Sequence, residues 1–591
     1  MPSSPGPDQN AEQPALATRV RLFGARLVEQ ARGAARVLTP WLSLLMLCLL
    51  FELPRAFVAA APDLSALRLS LELPLLLTLA GLVATFFVAP PRSRARVLLR
   101  RTLWLLAFLL LALRLDQWIC WLLMREEPLL YDQWFMAKHL GVLIGDLISP
   151  TTLAVLLGVA GLAWLTARLV RRLLRQASQL VAPARRRHTA VLAALFWSVA
   201  LGLSALPRSS AAAPRVGWLT PLLIANLHAS RDVYERVQSD SHSSPHARFA
   251  ALTLHDKPDV LLFIVESYGR LLSVDPGTRD THRALLSTLT HELARTGWHA
   301  ASAFSTSTVS GGRSWIAEGT MLMGLPIRYE SVFQHLIALR PSPPSLVGFL
   351  RQRGYYTTLL APADRNRPGA YVVNRYGFSE LLTHDGLAYR GRPMGWGIVP
   401  DQYSLAIAEQ RVLLPARARK QPVFLDFHMV TSHAPWAVVP PLYDDPSYVA
   451  AHDEARQEHG SGAGTVLTRL ARYDHKAERR FVDFEHFDQT LRDGYQATVH
   501  YDLKVIAAYL ARRADDAVVI LIGDHQPPVL SRSDQSFDSP VHLLSRDPQR
   551  LQTALARGFV PGLWLEAARA PAMSHDALFP LLVETLAAGR P

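Results

Sequence analysis

Cysteine is almost absent from this chain of 591 residues, which contains only Cys48 and Cys120, both within apolar runs. This scarcity excludes a fold that depends on a framework of disulfide bonds. It does not exclude a location outside the cytoplasm, because a large domain buries enough apolar surface to be stable without cross-links. Any exported part must therefore owe its stability to a hydrophobic core.

The chain also lacks a short apolar segment followed by a cleavage site, which is the pattern of a removed signal peptide. Its first long apolar run extends from Pro40 to Ala61. Further apolar runs follow at about 71–89, 103–123, 151–168 and 189–206. Each run has roughly the 20 residues that a helix needs to cross a bilayer. We therefore predict a cytoplasmic N-terminal segment, residues 1–36, and a transmembrane domain of about five helices, residues 37–206.

Basic residues outnumber acidic ones, and the formal net charge is +13. We do not interpret this excess as a nucleic-acid site, because the arginines cluster beside the apolar runs, around residues 92–101 and 171–187. Loops of this kind stay on the cytoplasmic side of a membrane. Five spans with the N-terminus inside place everything after Leu206 outside. We predict an integral, multi-pass protein of the inner (plasma) membrane, with its C-terminal half on the external or periplasmic face.

Beyond the apolar runs the pattern changes twice. Residues 207–257 form a predicted linker, in which an apolar stripe from Trp218 to Leu227 is typical of a helix on a membrane surface. From residue 258 onward, apolar strands alternate with amphipathic helices, which indicates an α/β domain. The predicted strands are 259–265, 355–361, 422–427 and 517–522. The predicted helices are about 281–296, 344–353, 401–412 and 492–512, and an insertion at about 437–485 is predicted to be loop.

Two of the predicted strands lead into side chains that bind metals. The run Val518–Ile522 is followed by Gly523, Asp524 and His525, and strand 259–265 is followed by Glu266. Open α/β sheets place their ligand sites at the carboxyl ends of parallel strands. Mixed carboxylate and imidazole ligands suit Mn²⁺ or Zn²⁺ better than Mg²⁺. The sequence thus predicts a site for one divalent cation, Mn²⁺ or Zn²⁺, with Mg²⁺ as the alternative.

A hydroxyl-rich stretch from Ser305 to Ser310 precedes two glycines and a helix predicted to begin near Arg313. A hydroxyl at a helix N-terminus meets free N–H groups and the positive end of the helix dipole, which favour an anion. On its own, such a hydroxyl is more often an N-cap than a nucleophile. Beside a divalent cation, however, its pKa falls and it can attack a phosphate or sulfate ester.

Four elements follow one another in the order Glu266, the hydroxyl run, His433 within Thr431–Trp436, and Gly523-Asp524-His525. Behind five apolar runs, this order resembles the alkaline-phosphatase/sulfatase superfamily. It is most similar to the membrane-anchored branch that contains lipoteichoic acid synthases, phosphoglycerol transferases and phosphoethanolamine transferases. The resemblance covers nearly the whole chain. It implies an N-terminal α-helical membrane domain followed by an exported, catalytic α/β domain of the sulfatase type, residues 258–591.

The resemblance also implies roles for individual residues. Glu266, Asp524 and His525 would hold the metal together with a nucleophilic hydroxyl. That hydroxyl is Thr308 or, as the alternative, Ser310, because the sequence alone does not settle a shift of two residues in this loop.

Other residues near these motifs have weaker assignments. His433 would contact the substrate phosphate. Arg313 either clamps a phosphate or begins the helix, and Trp436 either stacks on a headgroup or packs in the core. Three further histidines are predicted to be structural: His428, His500 and His542.

The chain departs from true sulfatases, which carry paired Asp residues after the first strand and a residue that matures to formylglycine. Here a single Glu266 stands at that place, and the C-terminal half has no cysteine. The favoured function is a transferase that moves a phosphoglycerol- or phosphoethanolamine-type group from a membrane phospholipid to an envelope glycan or lipid acceptor. The alternatives are a hydrolase of phosphate or sulfate esters and a membrane protein that only binds glycan or lipid.

Overall fold

The structure is a computed structural model, and it describes the chain in segments. The longer ones are 94–135, 220–238, 246–339, 343–365, 374–391, 399–443, 487–530 and 536–588. Short pieces lie between residues 39 and 70 and between 157 and 176, and at 215–217, 394–396, 479–480 and 534. Several predicted segments lie outside these residues, wholly or in large part: the cytoplasmic segment 1–36, the spans at 40–61, 71–89, 151–168 and 189–206, and the insertion 437–485.

The third predicted span coincides with a helix, α1 (Arg94–Met124). In the part of the chain that the structure describes, no helix combines the length and the apolar character that a membrane crossing requires. The domain of five spans therefore stays a prediction. The predicted linker contains helix α2 (Thr220–Gln238), on which Ile224 and Leu227 are about half exposed.

Contacts between residues divide the chain into two compact units, of which the second comprises Ile119–Ala154 and Asn226–Pro591. Nine strands of this unit form one sheet. They are β1 (Asp259–Val265), β2 (His299–Thr306), β3 (Tyr356–Ala361), β4 (Glu380–Thr383), β5 (Val423–Met429), β6 (Ala517–Gly523), β7 (Asp538–Ser545), β8 (Val560–Pro561) and β9 (Met573–Ser574).

The strand order across the sheet is β8-β2-β7-β6-β1-β5-β3-β4, and β9 pairs with β2. The strands from β6 to β4 are parallel, whereas β7 is antiparallel to both of its neighbours. Two small ladders lie apart from this sheet. They pair Arg68–Ser70 with Arg215–Gly217 and Val438–Val439 with Arg479–Arg480.

The four predicted strands are observed as β1, β3, β5 and β6. β1 and β6 are nearly continuous apolar runs with almost every residue buried, as expected for central parallel strands covered on both faces. The sequence pattern does not indicate β2 and β7, because both contain many small and polar residues. Pairing across the sheet, and not local β-propensity, makes these two segments strands.

The second unit also contains helices of several lengths. The longer ones are α3 (Arg279–Arg295), α4 (Ser314–Met323), α5 (Glu330–Ala338), α6 (Leu346–Gln352), α7 (Asp401–Ala408), α8 (Phe487–Arg512) and α9 (Leu578–Ala587). Single α-helical turns lie at His246–Phe249, Leu271–Val274, Leu414–Ala418 and Gln552–Ala556. A π-turn continues α7 at Glu409–Leu413, and 3₁₀ turns lie at Pro548–Leu551 and His575–Ala577.

Successive side chains of β1 point into two separate cores. The odd-numbered residues from Leu261 to Val265 pack in a core that includes α3, α7 and α8. The even-numbered residues from Val260 to Ile264 pack in a second core that includes α4, α5, α6 and α9. Complete burial of such a side chain contributes about 1.5–3 kcal/mol. The resulting three layers hold the central strands firmly, and with them the loops at their carboxyl ends.

Candidate metal centre and active site

Three neighbouring parallel strands deliver polar side chains to one edge of the sheet. β1 lies between β6 and β5, and its last residue, Val265, pairs with Gly523 on one side and with Met429 on the other. Glu266 and Asp524 therefore leave the sheet side by side. The loop after β5 carries His433 to the same edge, where open α/β sheets bind their ligands.

Gly523 permits the close approach of the two strand ends. A Cβ atom at this position would lie 1.9 Å from the backbone carbonyl oxygen of Tyr268. Any larger residue must push the backbone of the β6 end away from the loop after β1. The glycine before Asp524 is thus a packing requirement of the site.

Glu266, Asp524 and His525 offer ligand atoms that lie within 4.8 Å of one another. Asp524 Oδ1 accepts hydrogen bonds from the backbone N–H groups of Ser267 (2.8 Å) and His525 (2.7 Å). His525 Nδ1 donates to the carbonyl oxygen of Gln526 at 2.9 Å. The lone pair of this imidazole is therefore on Nε2, which lies 3.3 Å from Asp524 Oδ2 and 3.5 Å from Glu266 Oε1.

One atom of this cluster lacks a partner. Asp524 Oδ2 is buried and has no hydrogen-bond partner among the described residues. A buried carboxylate oxygen without a donor is costly unless a cation compensates it. Two carboxylates and one imidazole lone pair form a donor set that suits Zn²⁺ or Mn²⁺. The residues at this edge of the sheet thus fit one divalent cation.

The two carboxyl groups have opposite pKa shifts. Burial, reinforced by the nearby Glu266 carboxylate, raises the pKa of Asp524 to about 7. Burial acts in the same direction on Glu266, but the imidazoles of His433 and His525 outweigh it and hold the pKa of Glu266 below its usual value. A pair of close carboxylates that must share one site is the electrostatic situation that a divalent cation relieves.

Two hydroxyl groups contact this cluster. Ser267 Oγ donates to Glu266 Oε1 at 3.0 Å, and the other hydroxyl belongs to Ser314, the first residue of α4. Its Oγ donates to Glu266 Oε2 at 3.0 Å and lies 3.3 Å from His525 Nε2. The preceding turn reverses the chain through residues of positive φ, namely Gly311, Gly312 and Arg313 (φ 64°). Ser314 consequently stands where the positive end of the helix dipole meets the metal ligands.

Thr308 and Ser310 have other surroundings. Thr308 Oγ1 lies 3.1 Å from Thr320 Oγ1 on α4, and Ser310 Oγ is buried without a hydrogen-bond partner in the described part of the chain. Neither residue lines the pocket that contains Ser314. The structure thus places Ser314, and not Thr308 or Ser310, beside the metal ligands. The identity of the nucleophile itself stays a prediction. The helix begins at Ser314, and the earlier hydroxyls belong to the loop that leads to it.

Other hydroxyls of the same run support the backbone of the site. Ser307 Oγ donates to the carbonyl oxygen of Asp524 at 2.7 Å. His575 Nε2 donates to the carbonyl oxygens of Gly523 (3.0 Å) and Asp524 (3.1 Å), and Ser305 Oγ lies 2.8 Å from its Nδ1. This brace was not foreseen from the sequence, since His575 is about 50 residues from the strand that it supports.

The cluster opens into a pocket of about 450 Å³. His433 lines it together with Ser314, and its ring stacks on Trp396 at a centroid distance of 4.6 Å. Because His433 Nδ1 lies 2.6 Å from the carbonyl oxygen of Ala434, Nε2 is the ring nitrogen left for a ligand. Arg365 and Arg375 also line the pocket. Their positive charge suits an anionic substrate.

Arg313 and Trp436, both predicted as substrate contacts, do not line this pocket. The Arg313 guanidinium is buried and donates to Glu126 Oε2 at 2.5 Å. Trp436 is also buried, and its Nε1 donates to the carbonyl oxygen of Ser432 at 2.6 Å. Of the two alternatives for each residue, these contacts favour a role at the start of α4 for Arg313 and a packing role for Trp436. Substrate contact by either residue stays a prediction.

The pocket contains a second carboxylate–imidazole group that the sequence interpretation missed. Glu318, Asp426 and His428 also offer ligand atoms within 4.8 Å of one another. His428, predicted to be structural, lines the pocket with Glu318. Two spacings point to this group in hindsight: Asp426 and His428 are two apart on a strand, and Glu318 is four residues after Ser314 on a helix.

Comparisons with known proteins were made on sequence and on structure. No curated protein matches the chain significantly. Among solved structures, it is similar to the lipoteichoic acid synthase LtaP from Listeria monocytogenes, with 15% identity, 56% of this chain and 72% of that chain covered, and a TM-score of 0.35. It is also similar to the zinc complex of the C-terminal periplasmic domain of EcEptC from Escherichia coli, with 12% identity, 55% of this chain and 81% of that chain covered, and a TM-score of 0.31. A third similar structure is the phosphonate monoester hydrolase SpPMH from Silicibacter pomeroyi, with 14% identity, 56% of this chain and 73% of that chain covered, and a TM-score of 0.30.

The family comparison covers the sheet and all the site residues described above. The family model described as Sulfatase matches residues 258–586, which is more than half of the chain. The matched region begins one residue before β1 and ends within α9. It includes Glu266, Ser314, His433, Asp524 and His525. The chain therefore belongs to the sulfatase family, within the alkaline-phosphatase-like superfamily.

Proposed function

We propose that this protein is a metal-dependent transferase. It moves a phospho-alcohol group, of the phosphoglycerol or phosphoethanolamine type, from a membrane phospholipid to a glycan or lipid acceptor of the cell envelope. The observation that carries the proposal is the position of Ser314, whose Oγ lies 3.0 Å from Glu266 Oε2 and 3.3 Å from His525 Nε2 at the start of α4. A hydroxyl placed among metal ligands at a helix N-terminus is equipped to act as a nucleophile on phosphorus.

Glu266, Asp524 and His525 would hold the cation, with Ser314 as the fourth ligand. When bound, a divalent cation lowers the pKa of a hydroxyl ligand and offsets negative charge on the phosphate oxygens. Glu266 accepts the hydroxyl hydrogen bond and so orients Ser314 Oγ. His433 Nε2 is placed to bind a phosphate oxygen or to give a proton to the leaving alcohol.

The proposed reaction has two steps. Ser314 Oγ gives up its proton and attacks the phosphorus of the lipid, the bond from phosphorus to the diacylglycerol oxygen breaks, and that oxygen takes up a proton from His433. A hydroxyl of the acceptor then gives up its proton to His433 and attacks the phosphodiester on Ser314, and the serine oxygen leaves and regains a proton. The arginines of the pocket wall favour the negatively charged group in both steps.

The proposal includes the location of the protein. The apolar runs and arginine-rich loops favour an inner-membrane protein whose catalytic domain faces the external side. Anchoring beside the lipid donor would raise the effective concentration of that donor. Reporter fusions test this topology: those at Arg92 and Arg172 should score cytoplasmic, and one at Asp240 should score external. A cytoplasmic result at Asp240 would reverse the topology and remove the lipid donor from reach.

The covalent step is tested by trapping the intermediate. The full-length protein is mixed with phosphatidylglycerol or phosphatidylethanolamine vesicles and quenched in acid, and the added mass is located by peptide mapping. We expect a glycerophosphate or phosphoethanolamine adduct on Ser314. The Thr308→Ala and Ser310→Ala proteins are the matched controls and should still form it. An adduct on Thr308 or Ser310 would contradict the assignment to Ser314, and turnover without any adduct would contradict the covalent mechanism.

The identity of the second substrate separates transfer from hydrolysis. Products are analysed by mass spectrometry with and without added glycoside or glycerol as an acceptor alcohol. A transferase gives a phosphodiester of the acceptor, whereas a hydrolase gives the free phosphoalcohol in both cases. A purified protein that binds no divalent cation would instead favour a protein that only binds glycan or lipid.

A further inference from the structure

The second carboxylate–imidazole group, which we call the inner cluster, consists of Glu318, Asp426 and His428. His428 Nε2 lies 3.6 Å from Asp426 Oδ1 and 3.7 Å from Glu318 Oε1. Asp426 is fully buried and Glu318 nearly so, while His428 is partly exposed towards the pocket. None of these residues has a role in the reaction proposed above.

Regular secondary structure brings the three side chains together. Asp426 and His428 are two residues apart on β5, so their side chains point to the same face of the sheet, which is the face that α4 covers. Glu318 lies one helical turn after Ser314 on α4, which places it deeper in the same pocket. The inner cluster is thus held by a central strand and by the helix that carries the proposed nucleophile.

The inner cluster has acceptor atoms without donors. In the described part of the chain, neither carboxylate oxygen of Asp426 has a hydrogen-bond partner, and neither does His428 Nε2. Burying a carboxylate in this way is unfavourable unless a positive charge compensates it. Asp524 Oδ2, in the first cluster, is an unpartnered atom of the same kind.

The distances discriminate between two ways of supplying that charge. A protonated His428 would be expected to form hydrogen bonds of about 2.7–2.9 Å to the carboxylates, and both observed distances are longer. Two ligands of one tetrahedral ion with bonds of about 2.0–2.1 Å are separated by roughly 3.4 Å. The distances of 3.6 Å and 3.7 Å in the inner cluster are closer to the separation of two metal ligands than to hydrogen bonds of a protonated imidazole. In the first cluster, His525 Nε2 lies at similar distances, 3.3 Å and 3.5 Å, from Asp524 Oδ2 and Glu266 Oε1.

We propose that Glu318, Asp426 and His428 bind a second divalent transition-metal cation, Zn²⁺ or Mn²⁺. Two carboxylate oxygens and one imidazole nitrogen form the donor set, and the pocket side leaves room for water or a substrate oxygen. The two clusters share no residue, so the second cation would have a ligand set of its own.

A divalent cation at this depth would neutralise the two carboxylates of Glu318 and Asp426. Next to His428, the side of the ion towards the pocket would stay open. Its expected ligand is a second anionic oxygen of the substrate, at a distance from the phosphorus that Ser314 attacks. This inference does not depend on the proposed transfer reaction, because metal binding is measured without turnover.

The stoichiometry of bound metal tests the proposal. Purified full-length protein is loaded with Mn²⁺ or Zn²⁺, desalted and analysed for metal per chain. We expect two ions in the parent protein, one in Asp426→Asn, one in Asp524→Asn and none in the double variant. Circular dichroism and melting temperature show whether each variant is folded, and Glu318→Gln is a second probe if Asp426→Asn is not. One ion in the parent, or two ions in both Asp426→Asn and Glu318→Gln, would overturn the second site.

Spectroscopy identifies the ligand at the inner cluster. In an Asp524→Asn/His525→Gln background loaded with Mn²⁺, electron spin-echo envelope modulation should detect the nitrogen of one imidazole. Adding His428→Gln should abolish that modulation, whereas adding His433→Gln should preserve it. Modulation that follows His433 instead would overturn the assignment. Absence of an adduct on Ser314 would contradict the proposed function but would leave both metal results as predicted.

Discussion

The first cluster, Glu266–Asp524–His525, and the inner cluster, Glu318–Asp426–His428, have the same residue types but different surroundings. In the first, backbone N–H groups hold Asp524 Oδ1, the Gln526 carbonyl oxygen orients the imidazole, and Ser314 contacts the ligands. In the inner cluster, the carboxylate oxygens of Asp426 have no hydrogen-bond partner among the described residues. The two clusters have the same residue types but differ in how firmly their side chains are oriented, and the Ser314 hydroxyl contacts the better-oriented one.

This difference follows from position in the fold. The first cluster lies in loops just past the strand ends, where backbone N–H and C=O groups are not used by the sheet and can orient side chains. The inner cluster lies within β5 and α4, where those groups are already paired in regular structure. In the proposals made above, the first cluster takes part in the reaction and the inner cluster adjusts the charge of the pocket.

The largest effect is expected from removing the nucleophile. Ser314→Ala should lower kcat/KM by about a thousandfold or more, because it removes the atom that forms the covalent intermediate. Metal content should change little, since three ligands of the first cluster remain. Activity is measured as headgroup release from lipid vesicles. Thr308→Ala is the matched control and should retain activity within a few-fold. A loss in Thr308→Ala with activity kept in Ser314→Ala would invert the assignment.

A smaller but still large effect is expected from the two aspartates. Asp524→Asn should lower kcat/KM by about a hundredfold or more through loss of the first cation, and Asp426→Asn by about tenfold. The physical reason is that Asp524 orients the ion at the reacting oxygen, whereas Asp426 only shapes the field of the pocket. Steady-state kinetics at saturating Mn²⁺ checks this order. Equal losses in the two variants would show that the clusters contribute equally to the chemistry.

The contact between Glu126 and Arg313, which holds the start of α4 beside the first cluster, can also be removed. Glu126→Gln should slow kcat by about tenfold, because it loosens Arg313 and with it the start of α4. The first cluster depends on this contact through Ser314, whereas Glu318 lies one turn further into the helix. The matched control is Arg328→Gln, an exposed residue 3.6 Å from the same carboxylate, which should have little effect. A KM effect without a kcat effect would indicate that Glu126 acts on substrate binding instead.

Much of this arrangement was readable in the sequence. Continuous apolar runs predicted β1 and β6, and the polar residues that follow them predicted Glu266, Asp524 and His525 as neighbours. β2 and β7 were not foreseen, because their small and polar residues resemble a loop. Their hydroxyls and imidazoles find partners only across the folded sheet, as in the contacts of Ser305 with His575.

The sequence did not indicate which hydroxyl lies beside the metal ligands, because the loop before α4 offers many hydroxyls and the first turn of a helix is uncertain by a residue or two. Ser314 is the hydroxyl at the start of the helix. The roles of Arg313 and Trp436 had no local signal. Arg313 is engaged by Glu126, nearly 190 residues earlier in the chain, and such a contact cannot be derived from spacing.

The smallest predicted effect is on the pH dependence of stability and concerns His542. This buried histidine has no carboxylate neighbour, unlike the histidines of the two clusters. Burial lowers the pKa of His542 to about 3. His542 Nε2 lies 3.1 Å from the Tyr268 hydroxyl, and Nδ1 lies 2.6 Å from Ser302 Oγ, which itself donates to the carbonyl oxygen of Gly562. His542 therefore donates from Nδ1 and accepts at Nε2. A second proton would place two donors face to face.

The sign of the pH effect follows from this value. Above the pKa of about 6.5 of an unfolded histidine, His542 is neutral in both states and contributes no pH dependence. As the pH falls below that value, His542 binds a proton in the unfolded chain but not in the folded chain until about pH 3, so the free energy of unfolding decreases. Between pH 7.5 and 5.5 the loss from one such histidine is about 1.4 kcal/mol. His542→Gln should reduce the pH dependence of the free energy of unfolding by this amount, measured by urea denaturation. His299→Gln, at an exposed histidine of β2, is the matched control and should leave it unchanged. A pH dependence that is the same in His542→Gln and in the parent protein would mean that the folded protein accommodates a charged imidazole at this position.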